Sequence, residues 1–122
     1  MPIARLDNVS GFVASTLVHE LLSSEIAGVV SKRVIKLITL FNPGTVVVFK
    51  LQIMWKDANG EDQTVRRFRD TMPANDGWVF GTLGAVWVLD SGFDGQPTIL
   101  QIVLESEPSV PIEYSIDYVD TT

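Results

Sequence analysis

The chain has 122 residues and a formal net charge of −6, from nine basic and fifteen acidic side chains. This length predicts one domain, and the acidity argues against nucleic acid, because phosphate binding requires clustered Lys and Arg. The absence of cysteine excludes disulfides and thiolate metal sites, and no apolar run is long enough to predict a membrane-spanning helix.

Apolar residues make up 46% of the chain, which is high for a small domain that also carries this much charge. A small domain has little interior in which to bury them, so we expect some of them to face a neighbouring subunit. The alternative is that a single chain covers both faces of its own sandwich. We favour association, and for identical subunits the default is a closed homo-oligomer.

Residues 1–14 mix turn-forming residues with scattered apolar ones, and no secondary-structure period fits them. We predict an extended N-terminal arm here, followed by a β-sandwich domain over 15–122 that folds without the arm. A terminal segment of this kind is ordered only when something holds it down. Its apolar side chains are therefore predicted to contact a neighbouring subunit or another protein surface. These side chains are Ile3, Leu6, Phe12 and Val13.

Residues 16–44 contain one ambiguous segment, one predicted strand and one predicted turn. Residues 16–22 fit either a helical turn or a strand. The run 33–41 is rich in β-branched residues and apolar on both faces, which predicts a strand in the centre of a sheet. Asn42, Pro43 and Gly44 then predict a turn.

Alternation is strongest over residues 46–56, where large apolar side chains occupy every second position. A period of two is typical of a half-buried strand, because successive side chains point to opposite faces of the sheet. Lys50 and Gln52 are predicted to face outward. The residues predicted to face inward are Phe49, Leu51, Ile53 and Trp55.

The second half of the chain predicts further strands separated by turns. A hairpin loop is expected at 57–60, with Asn59 or Gly60 in the left-handed conformation. The imperfect alternation of 63–69 predicts a bulge or an edge position. The remaining strands are predicted at 78–89 with breaks at Gly81 and Gly84, at 98–105 and at 112–119. Six or seven such strands predict an all-β fold, a single antiparallel β-sandwich that is jelly-roll-like, with the extended N-terminal arm.

No constellation of side chains in the sequence predicts catalysis or a cofactor. His19 is the only histidine, and a nucleophilic triad needs a base in contact with a nucleophile and an orienting group. Zinc is disfavoured for the same lack of His and Cys. The loop 90–95 holds two carboxylates and two glycines, as calcium loops do, but a plain turn is favoured over a metal site. We therefore predict no enzyme, no cofactor and no metal.

Three tryptophans offer a different possibility. Core packing is the default for Trp55, Trp78 and Trp87. Trp78 follows a polar loop at the mouth of a strand, where its ring would be exposed. It is therefore a candidate contact residue, and an exposed ring of this kind would also suit a carbohydrate-binding module.

The order of the segments resembles that of small tail, fibre and head-decoration proteins of bacteriophage virions. The resemblance covers residues 30–120: a strand at 32–40, the turn Asn42-Pro43-Gly44, an alternating strand, the step Gly77-Trp78 and a short acidic C-terminal strand. The basic segment 66–69 and the aromatic residues before Leu89 depart from it. The resemblance carries over no functional residue.

What the resemblance implies is a non-enzymatic structural protein of a phage virion, most simply a capsid decoration protein or a tail or fibre component. Its expected partners are copies of itself and other virion proteins, such as a major capsid protein or tail components. No nucleic acid and no membrane are expected as partners. The protein is expected in the virion, assembled in the host cytoplasm. The alternative function is the carbohydrate-binding β-sandwich module.

Overall fold

The structure is a computed structural model that describes residues 5–26, 29–30, 32–81, 87–90 and 96–121. Every regular element in these ranges is a β-strand. The strands are β1 (Arg5–Val13), β2 (His19–Ser23), β3 (Glu25–Ile26), β4 (Val29–Val30), β5 (Lys32–Asn42), β6 (Val47–Lys56), β7 (Asp62–Met72), β8 (Asp76–Phe80), β9 (Trp87–Leu89), β10 (Ile99–Leu104) and β11 (Ile112–Thr121).

Nine of these strands form two antiparallel sheets that pack face to face, while β3 and β4 pair with each other in a separate two-stranded sheet. Sheet A has the order β1-β11-β5-β8, with β9 also paired to β5, and sheet B has the order β2-β10-β6-β7. The pairs are nested along the chain: β1 with β11, β2 with β10, β5 with β8, and β6 with β7. A long hairpin rolled up in this way is a jelly roll, so the predicted all-β sandwich is confirmed.

The core lies between the sheets, because the inward positions of the long strands are apolar. On β6, Phe49, Leu51 and Ile53 are buried as predicted, and they lie opposite Leu104, Ile102 and Leu100 of β10. Sheet A closes the core from the other side with inward residues of β5 and β11. The most deeply buried of these are Ile35, Ile38, Leu40, Ile112 and Ile116.

Two residues of β6 differ from their predicted environments. Trp55 is only half-buried. Gln52 does point to the outer face of sheet B, but only 6% of it is exposed. Its side chain lies between two neighbours, since Gln52 Nε2 donates to Gln101 Oε1 (3.2 Å) and Arg67 Nε donates to Gln52 Oε1 (3.1 Å). Its neighbours in the sheet therefore cover it.

The structure corrects the predicted N-terminal arm. Residues 5–13 form β1, which pairs with β11 in unbroken register from Arg5 opposite Asp120 to Val13 opposite Ile112. The strand escaped sequence analysis because few of its inward positions are apolar: Val13 is buried and Val9 partly so, whereas Gly11 brings no side chain. Residues 1–4 lie outside the described ranges.

Several local predictions are settled as well. The ambiguous segment 16–22 contributes to the strand β2. β5 is central, with β11 on one side and β8 and β9 on the other. β7 is an edge strand with a register shift opposite Ile53 and Met54, as its imperfect alternation predicted. Gly60 takes the left-handed conformation, with φ of 78°.

Candidate protein-contact surface

Four connections between the two sheets lie at the same end of the sandwich: β1–β2, β5–β6, β7–β8 and β10–β11. The antiparallel order requires this, and side-chain contacts bear it out. The backbone N–H of Thr45, between β5 and β6, donates to Ser109 Oγ, between β10 and β11 (2.9 Å). Asn42 Nδ2 donates to the carbonyl of Pro73, which lies between β7 and β8 (3.2 Å).

Exposed apolar side chains are concentrated at this end, which we call the apolar end. Of the ten large apolar side chains that are exposed in the described ranges, six belong to it. Scattered single apolar residues are normal on a protein surface, whereas a concentration of them marks a contact site. The six residues are Phe12 (63% exposed), Leu17 (76%), Val18 (58%), Phe41 (41%), Val46 (58%) and Val110 (42%).

Strand alternation explains why the two phenylalanines face outward. Val13 points into the core, so its neighbour Phe12 points away from it. Phe41 lies between the buried residues Leu40 and Asn42 and points outward in the same way. The register places Phe12, Glu113 and Phe41 side by side across three strands of sheet A. A shallow depression of ≈190 Å³ lies beside Phe41, between β5 and β11.

Hydrogen bonds join the loops that carry Val46 and Val110 and the loop between β7 and β8. Asn42 is fully buried, and its Nδ2 lies within bonding distance of the carbonyls of Thr45 (2.7 Å), Met72 and Pro73 (both 3.2 Å). Its Oδ1 accepts from the backbone N–H of Gly44 (3.1 Å). A side chain at Gly44 would start 2.3 Å from Ser109 Oγ. These three loops are thus held together before any partner arrives, which lowers the entropy lost on binding.

Carboxylates border the apolar end. Glu105 forms ion pairs with Arg69 (2.7 Å) and Lys50 (4.0 Å), so the two basic side chains nearest this end are engaged. Within the described ranges, five other carboxylates at the border have no basic side chain within ion-pair distance; they are Glu20, Asp70, Asp76, Glu107 and Glu113. The loops 14–18, 43–46 and 73–75 contain no charged residue. The surface therefore consists of uncharged loops that carry apolar side chains, bordered by carboxylates that we call the acidic rim, of which Glu113 lies between Phe12 and Phe41.

The contact residues predicted from the sequence fall in different places. Phe12 belongs to the apolar end. Leu6 is exposed as well, but it lies near the other end of β1. Val13 is buried in the core, which corrects its assignment as a contact residue. Ile3 lies outside the described ranges, and Trp78 is half-buried.

Trp78 is part of an aromatic cluster that closes the core between the edges of the two sheets. Its ring stacks on Phe80 (5.3 Å between centroids, 26°) and packs against Phe68 (5.1 Å) and Phe49 (5.2 Å). Trp87 continues the cluster with an edge contact to Phe80 (5.2 Å). A sugar ring needs an open aromatic face on which to stack, and neighbouring rings occupy that of Trp78. Core packing is its role here.

Sequence reasoning missed Leu17, Val18, Phe41, Val46 and Val110. Four of them lie in loops, and a signal was present: each is a large apolar residue within two positions of Ser, Thr, Gly or Pro in a turn. Only the topology shows that these separate loops meet at one end. The sequence gives no indication that Phe41 is exposed, because a central strand that is apolar on both faces is predicted to be buried on both.

The other candidates from the sequence have structural roles or lie outside the described ranges. His19 makes an edge contact with the ring of Tyr114 (5.7 Å between centroids). No group of three or more potential metal ligands occurs in the parts of the chain that the structure describes. Of the loop 90–95, only Asp90 is described, and its backbone N–H donates to Thr98 Oγ1 (3.1 Å). In those same ranges there is no helix of the length and apolarity that crossing a membrane requires.

No protein-family model and no curated protein matches the chain. Solved structures do. A chain in the structure of infectious bursal disease virus, Gx strain, is 13% identical with a TM-score of 0.50, and the match covers 95% of this chain and 32% of that one. This protein thus spans about a third of the length of the viral chain. At such low identity the match shows a shared fold alone.

Two further structural matches are more distant. The Yersinia pseudotuberculosis-derived mitogen is 10% identical with a TM-score of 0.39, over 95% of this chain and 86% of that one. The SPBc2 prophage-derived protein YomS is 14% identical with a TM-score of 0.33, over 99% of both chains. At TM-scores below 0.5, these two likenesses do not establish a common fold.

Proposed function

We propose that the protein is a non-enzymatic structural component of a bacteriophage virion, a capsid decoration protein or a component of the tail or fibre. It acts through contacts with other protein subunits, made by the apolar end. The observation that carries the proposal is the gathering of six exposed large apolar side chains at one end of a small, acidic jelly roll. Water exposure of such a surface is unfavourable unless a partner covers it.

Two further observations support this proposal. The order of segments over 30–120 resembles that of small phage virion proteins, and the fold is shared with a chain in the structure of a virus. Jelly rolls also occur in lectins and cupins, and one fold hosts many functions. The carbohydrate-binding alternative lacks a comparable observation, because Trp78 packs inside an aromatic cluster.

The test is incorporation into particles. Virions are produced from the genome that encodes this chain, with the wild-type sequence or with Leu17→Ser and Val110→Ser together, and their protein content is measured by mass spectrometry. We expect the wild-type chain at a fixed copy number per particle and the double variant to be depleted by about tenfold or more, the equivalent of 1.4 kcal/mol or more of contact energy. Asn59→Ser, in the exposed loop 57–61, is the matched control and should be incorporated normally.

Absence of the wild-type chain from purified virions would refute the proposal. Equal incorporation of the double variant would keep the location but refute the role of the apolar end. Light scattering of the purified chain tests the expected homo-oligomer separately. A mass of 13.5 kDa at micromolar concentration would show that contacts are made only with other proteins.

A further inference from the structure

We infer that the apolar end binds a protein surface on which an apolar depression is bordered by lysine or arginine side chains, and does not bind the same end of a second copy. This inference deepens the proposed function, since it rests on the same surface, and it names the chemistry of the partner. It follows from how charge is distributed around that surface.

The first argument is charge complementarity. Glu20, Asp70, Asp76, Glu107 and Glu113 border the apolar end without a basic partner among the described residues, while Arg69 and Lys50 are engaged with Glu105. A carboxylate at the rim of an interface favours partners that place positive charge opposite it. The three loops at the centre are uncharged, so Glu113, which lies between Phe12 and Phe41, is the carboxylate that most needs a basic group of the partner opposite it.

The second argument concerns a copy of the same end. Two identical ends would meet around a two-fold axis, which brings each rim against itself. The carboxylates of one copy would then approach those of the other, and juxtaposed like charges oppose association. The acidic rim therefore selects against pairing of this end with itself, whereas the apolar side chains alone would have favoured it.

Among the described residues, the edge strand β7 presents a basic surface that could compete for the apolar end of another copy. On the edge strand β7, Arg66 is exposed beside Val65, which is itself 43% exposed. A head-to-tail contact would place the apolar end of one copy over this pair in the next. Of the other basic residues on β7, Arg67 donates to Gln52 and Arg69 pairs with Glu105. Val65 and Arg66 alone therefore fit the apolar end poorly, and the experiment below treats β7 as an alternative.

The experiment measures binding of the intact chain to surfaces of defined chemistry by surface plasmon resonance. One chip carries a mixed monolayer of methyl- and ammonium-terminated thiols, and a second carries methyl- and carboxylate-terminated thiols. We expect binding to the methyl and ammonium monolayer to be at least about tenfold tighter, since the rim should be attracted to one and repelled by the other. Added salt should weaken that binding by screening it.

Matched variants locate the contact. Val110→Ser and Val88→Ser replace valines that are both 42% exposed, the first at the apolar end and the second on β9. Glu107→Gln and Glu61→Gln likewise compare an exposed carboxylate of the rim with one in the loop 57–61. We expect about a tenfold loss of affinity from the combined Val110→Ser and Glu107→Gln changes, and little change from the combined Val88→Ser and Glu61→Gln changes. All four positions are exposed, and melting curves verify that each variant is folded.

Equal binding to both monolayers, or equal losses from the two pairs of variants, would overturn the inference. Sedimentation equilibrium examines self-association directly. The same end of a second copy would be the partner if dimers form, if Val110→Ser abolishes them and if added salt strengthens their association. Salt would do so by screening the repulsion between the two acidic rims. Dimers abolished by both Val110→Ser and Arg66→Glu would assign the partner surface to β7. Either result overturns the inference while leaving virion incorporation, and so the proposed function, to be judged separately.

Discussion

The two ends of the sandwich differ in whether their side chains contact other residues of the chain or face solvent. At the end opposite the apolar end, polar groups find partners within the chain. In the loop between β6 and β7, Asp57 accepts hydrogen bonds from the backbone N–H groups of Asn59 (2.9 Å) and Glu61 (3.0 Å) and from Gln63 Nε2 (2.9 Å). Close by, Lys56 pairs with Asp62 (3.7 Å).

The same end also contains a cluster around Arg33. Its guanidinium lies over the ring of Tyr118 (4.8 Å) and donates to the carbonyl of Ser23 (3.1 Å). Arg33 Nε lies 2.9 Å from Asp120 Oδ1, an ionic contact in which the two atoms are not aligned for a hydrogen bond. Burial is the main reason that the pKa of Tyr118 is raised above its ordinary value of 10.0.

The comparison separates what stabilises the fold from what is left for a partner. Around Asp57 and Arg33, at the opposite end, charged and polar groups contact one another within one chain. At the apolar end, the buried Asn42 and its carbonyl partners are matched in the same way, but Leu17, Val18 and Val110 remain in water. The hydrogen bonds of Asn42 thus stabilise loops of the apolar end, whereas the exposed apolar side chains at this end contribute little to the stability of the fold.

The largest effect should come from deleting residues 1–12, because that removes eight residues of β1 from the edge of sheet A. The backbone N–H and C=O groups of β11 would lose the hydrogen bonds that they make to β1, and buried backbone groups without a partner lower the stability of the fold. We expect the truncated chain to lose its cooperative thermal transition, measured by circular dichroism. Melting near the wild-type temperature would mean that β1 is dispensable and that the arm interpretation was right.

Replacing a buried apolar side chain gives the loss of unfolding free energy with which the effects at exposed positions are compared. Ile53 lies in the core, so Ile53→Ala should lower the free energy of unfolding by about 2–5 kcal/mol, through lost burial and the cavity left behind. Lys50, on the outer face of the same strand, is the control, and Lys50→Ala should change it by about 0.5 kcal/mol or less. Urea denaturation measures both. Equal effects would show that the register of β6 is wrong.

At the apolar end, stability and association should separate. Phe12→Ala should lower the free energy of unfolding by only about 0.5 kcal/mol or less, because most of the ring is already in water. The same change should weaken incorporation into virions. A cost like that of Ile53→Ala would mean that Phe12 belongs to the core, and the contrast between the two ends would fail.

The smallest effect concerns Asp57 and depends on pH. The hydrogen bond from the backbone of Glu61 is the largest of the causes that hold the pKa of Asp57 below its ordinary value of 3.8. A lowered pKa means that the ionised group stabilises the folded chain above that value, and that this contribution is lost as the pH falls through the pKa of the folded state. Asp57→Asn should therefore lower the melting temperature slightly at pH 7 and not at pH 2. A difference that is the same at both pH values would show that charge is not involved.

The sequence by itself determined the strands that alternate and the turns that end them. Over 46–56, large apolar residues at every second position fix which face is buried, because side chains of a strand alternate strictly. β5 was predicted to be central for a similar reason, since residues apolar on both faces require cover on both. Turn chemistry predicts that Asn59 or Gly60 is left-handed, and the structure assigns this conformation to Gly60, because a glycine adopts positive φ without steric cost.

Tertiary structure alone decided which strands pair and which side chains meet. β1 has few apolar inward positions, so only its nine-residue ladder with β11 shows that it is part of the sandwich. Leu17, Val46 and Val110 are far apart in the chain, and the rolled topology brings their loops to one end. Sequence patterns report the local environment of a residue, whereas a contact surface arises from the order in which strands pair, and that order depends on the whole chain folding at once.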